Sequence, residues 1–583
     1  MMSRERVTLR VVRQFLEAAL FEGLVPFRCT DRTADSWQCL QFRLGDVHGE
    51  CLGRVRGFSR IRLNMESLTL TRQGQAVPPE PACLTEQLAI PPRQRNTLLR
   101  ELQATIRNAL LYDRPPESRR DLPAEQLDCS LHEGHPYHPC FKARSGFSHE
   151  DQLRFGPESG RSFRLQWVAV RRDQCRIEVP LPEDSFWRQE LGTETAYLLR
   201  AAFHRVGADW NRYTALPLHP WQWQSLKNEA LVPALTRGDV RPLGLLGDRY
   251  RASQSLRSLF NQTHPEAACV KTSLGIGNTS SRRHLEPHSV PSAPAISRWL
   301  EETVSADDQF THRYPLRLMT EYASLLYIGN PEQPAEQQAL AGEMGVIWRT
   351  GVQTLLRHHE RAVPVNALPA VEADGVPFIA PWLERHGLQA WLRATIRTLV
   401  LPVWHLLVRH GIGVEAHAQN SLMVLQDGWP TALILRDFHD SVEYVADFLP
   451  AGNPGPDLGE RQRFYDEARD DRYYRMGQVE ALRELVMDTL FVFNLSELAQ
   501  CIEAHYGFPE TRFWRLVHQC LQTYAQQQPQ LASRLARIGH QRSRIATESL
   551  LARKLRGPDA GECHHDITNT LAVSADVYAS SDH

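Results

Sequence analysis

Apolar residues recur at helical spacing near the start of the chain, where Val12, Phe15, Leu16, Ala19 and Leu20 share one face and Gly23 closes the turn. The rhythm then shortens. Residues 37–75 alternate as short strands do, in Cys39-Leu40-Gln41-Phe42-Arg43-Leu44 and again in Ile61-Arg62-Leu63-Asn64. A second helix is expected over Leu98 to Leu111, and Asp113 to Cys129, rich in Pro, Arg and Glu, reads as a linker. The middle of the chain is mixed, with strands expected at Phe163–Val170 and Cys269–Leu274, a polar break at Asn330–Gln338 and a Pro-rich connection from Val363 to Pro381. From Leu388 the pattern is strongly helical (Leu388, Trp391, Leu392, Ile396, Leu399, Val403, Leu406), with Gly411 placed to cap the C-terminus. Leu422–Leu425 and Thr431–Leu435 flank Asp427-Gly428-Trp429-Pro430, a hairpin signal. Residues 476–555 are helical in pattern, and the tail beyond Gly557 is polar and weakly patterned.

A chain of 583 residues exceeds one core and suggests about three or four domain-sized units. With 42% hydrophobic and 23% charged residues it has a globular composition, and a net charge of −2 offers no general attraction to nucleic acid or to an anionic membrane. No repeat of 20–50 residues and no apolar run of about 18 residues occurs, so no membrane span is expected. No signal peptide is visible, and the 11 cysteines are scattered with no Cys-x-x-Cys pair. This reads as a reduced, cytoplasmic protein with neither a disulfide framework nor a zinc-cysteine site.

Polar chemistry gathers in a few places. Glu415-Ala416-His417-Ala418-Gln419-Asn420, followed by Arg436-Asp437, sets carboxylates, an imidazole and amides between apolar runs. Oxygen ligands of this type suit Mg2+ and phosphates, and residues 415, 417 and 419 share a face if the segment is extended. The bland alternative is an ordinary loop with a salt bridge to Arg436. Lys271-Thr272-Ser273-Leu274-Gly275-Ile276-Gly277-Asn278-Thr279-Ser280-Ser281-Arg282-Arg283, with Ser255-Leu256-Arg257 upstream, can cradle phosphates, although Gly-x-x-x-x-Gly-Lys is absent. The alternative there is a solvated surface turn. Gly134-His135-Pro136-Tyr137-His138-Pro139, then Lys142 and Arg144, is a rigid non-helical segment suited to an anion or a metal, or to a structural loop. His219-Pro220-Trp221-Gln222-Trp223 reads first as packing at a junction, and His564-His565 as surface residues.

In this order the segments resemble the siderophore synthetases that act without a nonribosomal peptide synthetase, the aerobactin synthetase (IucA/IucC-like) family. Its pattern is Gly-His-Pro-x-His-Pro-x-x-Lys-x-Arg-x-Gly, His-Pro-Trp-Gln, Ser-x-Arg, Lys-x-Ser with Thr-Ser-x-x-Arg, Glu-x-His-x-Gln-Asn and Arg-Asp, all present between Gly134 and Asp437. The resemblance covers about residues 10–555. It implies an α+β fold shaped like a hand: a thumb (1–125), ATP-binding fingers with an antiparallel sheet (126–360) and a mainly helical palm (361–583). It implies ATP-dependent adenylation of a carboxyl of citrate or a related polycarboxylate, release of pyrophosphate, and attack by an amine, amino acid or alcohol. On this resemblance His138, Ser255, Arg257, Lys271, Ser273, Thr279, Ser280, Gln419, Asn420 and Asp437 bind ATP. Glu415, Asn420 and Asp437 hold Mg2+, and Arg283 and His417, with Thr279, hold and orient citrate. Family members are commonly homodimers. One departure is Glu548, which stands where the family's C-terminal segment carries a Lys, and it bears on the identity of the acyl substrate.

Two other classes compete. A kinase-like phosphotransferase would also place Glu415 and Asn420 five apart before a hairpin and Asp437, but the catalytic Asp would be a Glu and no N-terminal Gly-rich loop with a strand Lys is present. A non-enzymatic binder of citrate or a ferric siderophore would use the Arg and His residues and leave the phosphate segment without purpose. Within the synthetase reading, a citryl monoamide can replace free citrate as the acyl partner.

Overall fold

The computed structural model describes residues 4–32, 37–112, 118–279, 281–557, 561 and 563–572. Ser280, expected at the phosphate site, lies outside them, as do Asp113–Glu117 of the expected linker. The fold class is α+β, as the sequence suggests, built on two main sheets with helices at both chain ends.

The helix Arg4–Phe21 buries Val11, Phe15 and Leu16 and packs on the helix Pro92–Leu110 and on a six-stranded antiparallel sheet from residues 27–76. In Gln38–Leu44 the burial alternates residue by residue, as a one-sided sheet requires. The following segment is no linker. Ala124–Ser130 is helical, and Arg119 is fully buried, its backbone N and Nε donating to the Glu372 carboxylate at 2.8 and 3.0 Å and its Nη1 to Glu133 at 2.8 Å. Charges that read as solvated are paired in the interior, which composition cannot show. The polar break is likewise partly helical, with Pro334–Leu340 tied to the helix Val232–Arg237 by Glu336, which accepts from Arg237 at 2.7 Å.

The centre is an eight-stranded antiparallel sheet in the order Cys175–Glu178, Glu321–Tyr327, Gly345–Arg349, Cys269–Thr272, Ser258–Asn261, Val240–Ala252, Phe163–Arg171, Tyr213–Leu218. Its covered face holds Trp167, Trp187 and Trp348. Beside it lies a four-stranded sheet in the order Leu316–Leu318, Trp429–Leu435, Ser421–Gln426, Glu360–Pro364. The hairpin turns at Asp427 (φ +52°) and Gly428 (φ +82°), both left-handed as the two-residue turn with this twist demands. The expected Val363–Pro381 connection begins inside the edge strand Glu360–Pro364 and ends in the helix Ala380–His386.

The helix Leu388–His410 is buried on nearly every side from Thr395 to Val408 and ends at left-handed Gly411, whose N–H donates to Leu407 O at 3.0 Å. Val479–Tyr506 is long and apolar enough to span a membrane, but 72% of its most apolar window is buried inside the protein, where it serves as a core element. The helical region expected over 476–555 is interrupted by a strand, Arg544–Glu548, which pairs with His564–Thr568 in the tail. His565 is therefore not a free surface residue. Its Nδ1 lies 2.8 Å from Ser549 Oγ and its ring meets Phe21 edge-on at 4.6 Å. One continuous core joins the two ends of the chain, running from Phe15 through Trp404 and Phe491 to Ile567.

Two carboxyls buried in that core set a pH dependence. Asp488 is pushed up to about 8 by burial and Glu22 to about 7, although Asp488 accepts from Glu548 N at 2.7 Å and Glu22 from Ala552 N at 2.7 Å. A raised folded-state pKa gives stability that is complete below the unfolded value and lost as pH rises through the folded one. Urea stability is therefore expected to fall between about pH 4 and pH 8, by on the order of a few kcal/mol. Asp488→Asn should flatten that fall, and an unchanged slope in the variant would remove Asp488 as its source.

Candidate active site

Arg436 builds the centre of the site. Its guanidinium donates to Gln419 O at 2.9 and 2.6 Å and to Asp128 Oδ2 at 3.1 Å, and its backbone N to Asn420 O at 3.0 Å. Its ion pair is thus with a buried helix residue, and the guanidinium clamps the Glu415–Asn420 segment to the end of the strand Trp429–Leu435. The next residue, Asp437, is forced into the left-handed region at φ +68°.

Strand register supplies the partners of Asp437. Cys269 and Lys271 share one face of the central sheet, Cys269 stands opposite Arg349, and Arg349 opposite Glu321. Asp437 Oδ1 accepts from Lys271 Nζ at 2.9 Å and from Arg349 Nη1 at 2.6 Å. Burial works against its charge, but Lys271 and Arg349 hold the carboxyl well below the usual range. Burial lowers Lys271 in turn. Behind them Glu321, fully buried, accepts from His439 N at 2.9 Å and pairs with His439 Nδ1 at 2.8 Å, and His439 Nε2 lies 3.1 Å from Asp440. Burial opposes protonation of His439, yet Asp440 and Glu321 lift it to about 9. The sequence reading stopped at Asp437 and missed Arg349, Glu321, His439 and Asp440. The available signal was a single charge in each of two apolar strands, and the His-Asp pair directly after Asp437.

The segment Glu415–Asn420 turns instead of running extended, so residues 415, 417 and 419 do not share one face. Asn420 N donates to His417 O at 2.9 Å and to His417 Nδ1 at 3.1 Å, and Asn420 Nδ2 reaches Glu415 Oε2 at 3.3 Å. The turn brings positions 415 and 420 together as one oxygen-rich corner. Because His417 Nδ1 accepts, the ring proton sits on Nε2, 3.8 Å from Glu415 Oε1 and available to an anion.

Opposite stands a wall of cations. The hairpin of strands Leu274–Asn278 and Ser281–Arg283 replaces the expected Gly-rich phosphate turn and carries left-handed Thr279 (φ +53°). Arg283 Nη2 donates to Thr279 Oγ1 at 3.0 Å while its buried Nε has no partner among the described residues. Burial and then Arg257 lower Arg283 to about 10, and Glu415 and Asp437 pull the other way, so the four charges lie near one another. Arg257 donates to His284 O. Ser255 Oγ lies 2.9 Å from Ser253 Oγ and accepts from Ser258 N at 3.2 Å. Ser273 is tied into the sheet by Gly345 N at 3.0 Å and so holds strands together.

The His-Pro loop closes the cleft. His138 Nδ1 accepts from Cys140 N at 3.0 Å, which leaves a buried Nε2–H with no partner among the described residues. Burial first, then Lys554, His135 and Arg283, hold His138 well below the ordinary imidazole range. His135 joins it, lowered to about 4 by burial and then by His417. Lys142 and Arg144 do not enter the cleft: both pair with buried Glu158, at 3.1 and 2.8 Å. Glu548 pairs with Arg553 at 2.9 Å, and the lysine of that stretch that meets the cleft wall is Lys554, donating to Thr279 O at 2.7 Å and pairing with Glu101 at 2.5 Å.

His219 stands apart. Its Nδ1 accepts from Trp221 N at 3.1 Å as the cap of the helix Pro220–Leu226, and its ring packs on Phe155 and Phe163 at 4.9 and 4.8 Å. His219→Ala is expected to cost about 2–3 kcal/mol, from lost packing and a lost cap, while the folded fraction keeps its turnover number. A stable but inactive variant would move His219 into the chemistry.

Cations converging on one left-handed aspartate suit a polyanion beside a hard cation. Such an arrangement fits a biosynthetic ligase. The family comparison is specific. The IucA / IucC family matches residues 123–370, and residues 389–562 match a family described as Ferric iron reductase FhuF-like transporter. The citryl-spermidine/3,4-dihydroxybenzoyl-citryl-spermidine:spermidine ligase of Bacillus anthracis is 33% identical over 577 residues, covering 97% of this chain and 93% of that protein. The crystal structure of the petrobactin biosynthesis protein AsbB from Bacillus anthracis str. Sterne superposes with a TM-score of 0.90 at 30% identity, covering 100% of this chain and 98% of that one. The aerobactin synthetase IucC of Klebsiella pneumoniae superposes with a TM-score of 0.81 at 25% identity over 98% of both chains. The chain belongs to the IucA/IucC family of siderophore synthetases.

Proposed function

We propose that the protein uses ATP to adenylate a carboxyl of citrate, or of a citryl monoamide, and joins it to an amine, amino acid or alcohol with release of AMP and pyrophosphate. The observation that carries this reading is Asp437, held by Lys271 and Arg349 at 2.9 and 2.6 Å beside the unpartnered donors of Arg283 and His138. A triphosphate and a carboxylate repel each other, and the cations of this cleft offset that repulsion. Lys271, Arg257, Ser255, His138 and Thr279 line the phosphate side. Arg283 and the Nε2–H of His417 face the substrate carboxylates, where a guanidinium fork holds one bidentately. Glu415, Asn420 and Asp437 present the oxygen atoms that a hard cation takes, and bound Mg2+ would neutralise phosphate charge there. The rest of the rate gain comes from positioning.

Three supporting proposals follow from the family. The chain works as thumb (1–125), fingers (126–360) and palm (361–583), with thumb and palm sharing one core. It acts as a homodimer in the cytoplasm. Its nucleophile is a polyamine, by analogy with the spermidine named for the Bacillus relative.

A kinase-like transfer is the second reading, supported by the pairing of Glu415 with Asn420 at 3.3 Å. Incubation with ATP, Mg2+, citrate and hydroxylamine separates the two. AMP and citryl hydroxamate forming together, only with citrate present, support adenylation, whereas ADP supports phosphotransfer. If neither forms, repeating the assay with citryl-spermidine as acyl partner decides whether a monoamide is required.

A further inference from the structure

Away from the cleft, three metal-ligating side chains meet at the end of the helix Leu388–His410. His405 Nε2 and His410 Nε2 lie 3.0 and 2.9 Å from the same oxygen, Asp307 Oδ2, and the three ligand atoms all fall within 4.8 Å of one another. We propose that Asp307, His405 and His410 form a binding site for a divalent transition-metal ion of the zinc class, which clips this helix end to the segment after the helix Ser289–Ser305.

Geometry comes first. In a tetrahedral site with zinc-to-nitrogen bonds of about 2.0–2.1 Å, ligand atoms stand about 3.3 Å apart. The two spacings to Asp307 therefore need to open only slightly to admit the ion. The fourth position faces solvent: Asp307 and His410 are 13% and 12% exposed, while His405 is fully buried. The surroundings orient the ligands. His405 Nδ1 lies 2.8 Å from Tyr524 Oη, which turns Nε2 toward Asp307, and Asp307 Oδ1 accepts from Gln309 N at 3.0 Å, which aims Oδ2 at the two rings. Such outer partners are what metal-bound imidazoles use. Phe310 and Tyr314 pack on the His405 ring, each at 5.1 Å, and keep water from its buried side.

Charge narrows the choice of ion. Burial lowers both imidazoles, His405 to about 4, so they are neutral and free to ligate. The helix C-terminus favours a cation. Arg409 and Arg534 also face His410 and oppose one, which disfavours hard ions bound by charge alone and leaves those bound by directional nitrogen bonds. Among the described residues the other cluster of this type, Glu321, Asp437 and His439, already has Lys271 and Arg349 as its counter-charge. The helix end matters because Gly411 and the strand Ile412–Val414 lead directly from it into Glu415 and His417.

The test uses the full chain, stripped with a chelator and titrated with Co2+. One equivalent should give the intense visible bands of four-coordinate, nitrogen-bound cobalt, and Zn2+ should erase them and raise the Tm. Both effects should be lost in His410→Ala and in Asp307→Asn. Absence of these bands in the wild-type chain overturns the proposal without reference to any variant. So does their persistence in a folded His410→Ala protein, which would place the ion at other histidines.

Discussion

Arg283→Ala is expected to abolish turnover of the carboxylic substrate while ATP still binds. The side chain is half-buried, donates to Thr279 Oγ1 at 3.0 Å, and its Nε has no partner among the described residues. Removing a preorganised donor of this kind typically costs about 10²–10³-fold in rate. The loss should appear in kcat/KM for citrate, read by hydroxamate formation, with the affinity for a non-hydrolysable ATP analogue changed by less than about threefold. The variant should fold normally, because Arg257 works against the charge of Arg283 and the deletion removes that repulsion. Arg283→Lys should recover only part of the activity, since an ammonium cannot grip a carboxylate bidentately. Equal loss of citrate turnover and nucleotide binding would move Arg283 to the phosphates.

The sequence carried the elements whose cause is local. Alternation gave the sheet at 38–55, helical spacing gave the helix ending at Gly411, and Asp427-Gly428 gave the hairpin turn. It did not carry elements that exist only through distant partners. Arg119 reads as linker charge until Glu372, far along the chain, is brought to it. Arg544–Glu548 is a strand only because His564–Thr568 pairs with it, inside a region of otherwise helical pattern.

The site divides in the same way. Residues clustered in short motifs, from His138 through Lys271 to Asp437, stood out as polar groups between apolar runs. Arg349 and Glu321 gave a weaker signal, one charge each in an apolar strand, and only the register between strands brings them to Asp437. Motif reading also overreached where a side chain has a purely internal partner. Lys142 and Arg144 fall within a motif and yet serve Glu158. Ser273 falls within another and yet serves Gly345.

Asp437→Asn is the change expected to affect the folded state and the chemistry together. Without nucleotide, the carboxylate is the counter-charge of Lys271 and Arg349. Breaking a buried pair from one side typically costs about 3–5 kcal/mol. Asn tolerates the left-handed backbone at φ +68°, so the loss reports charge and not strain. The depressed folded-state pKa of Asp437 supplies stability that is present above the unfolded value of about 4 and disappears as pH falls through the folded one. The variant should accordingly lose part of the acid limb of the stability profile. Pyrophosphate without Mg2+ should raise the Tm of Asp437→Asn more than that of the wild type, because the two cations then lack any other anion. Mg2+-dependent ATP affinity should fall together with AMP formation. If that affinity is unchanged, Asp437 is only a placeholder for phosphate on the cationic strands, and the hard-cation role passes to Glu415 and Asn420 alone.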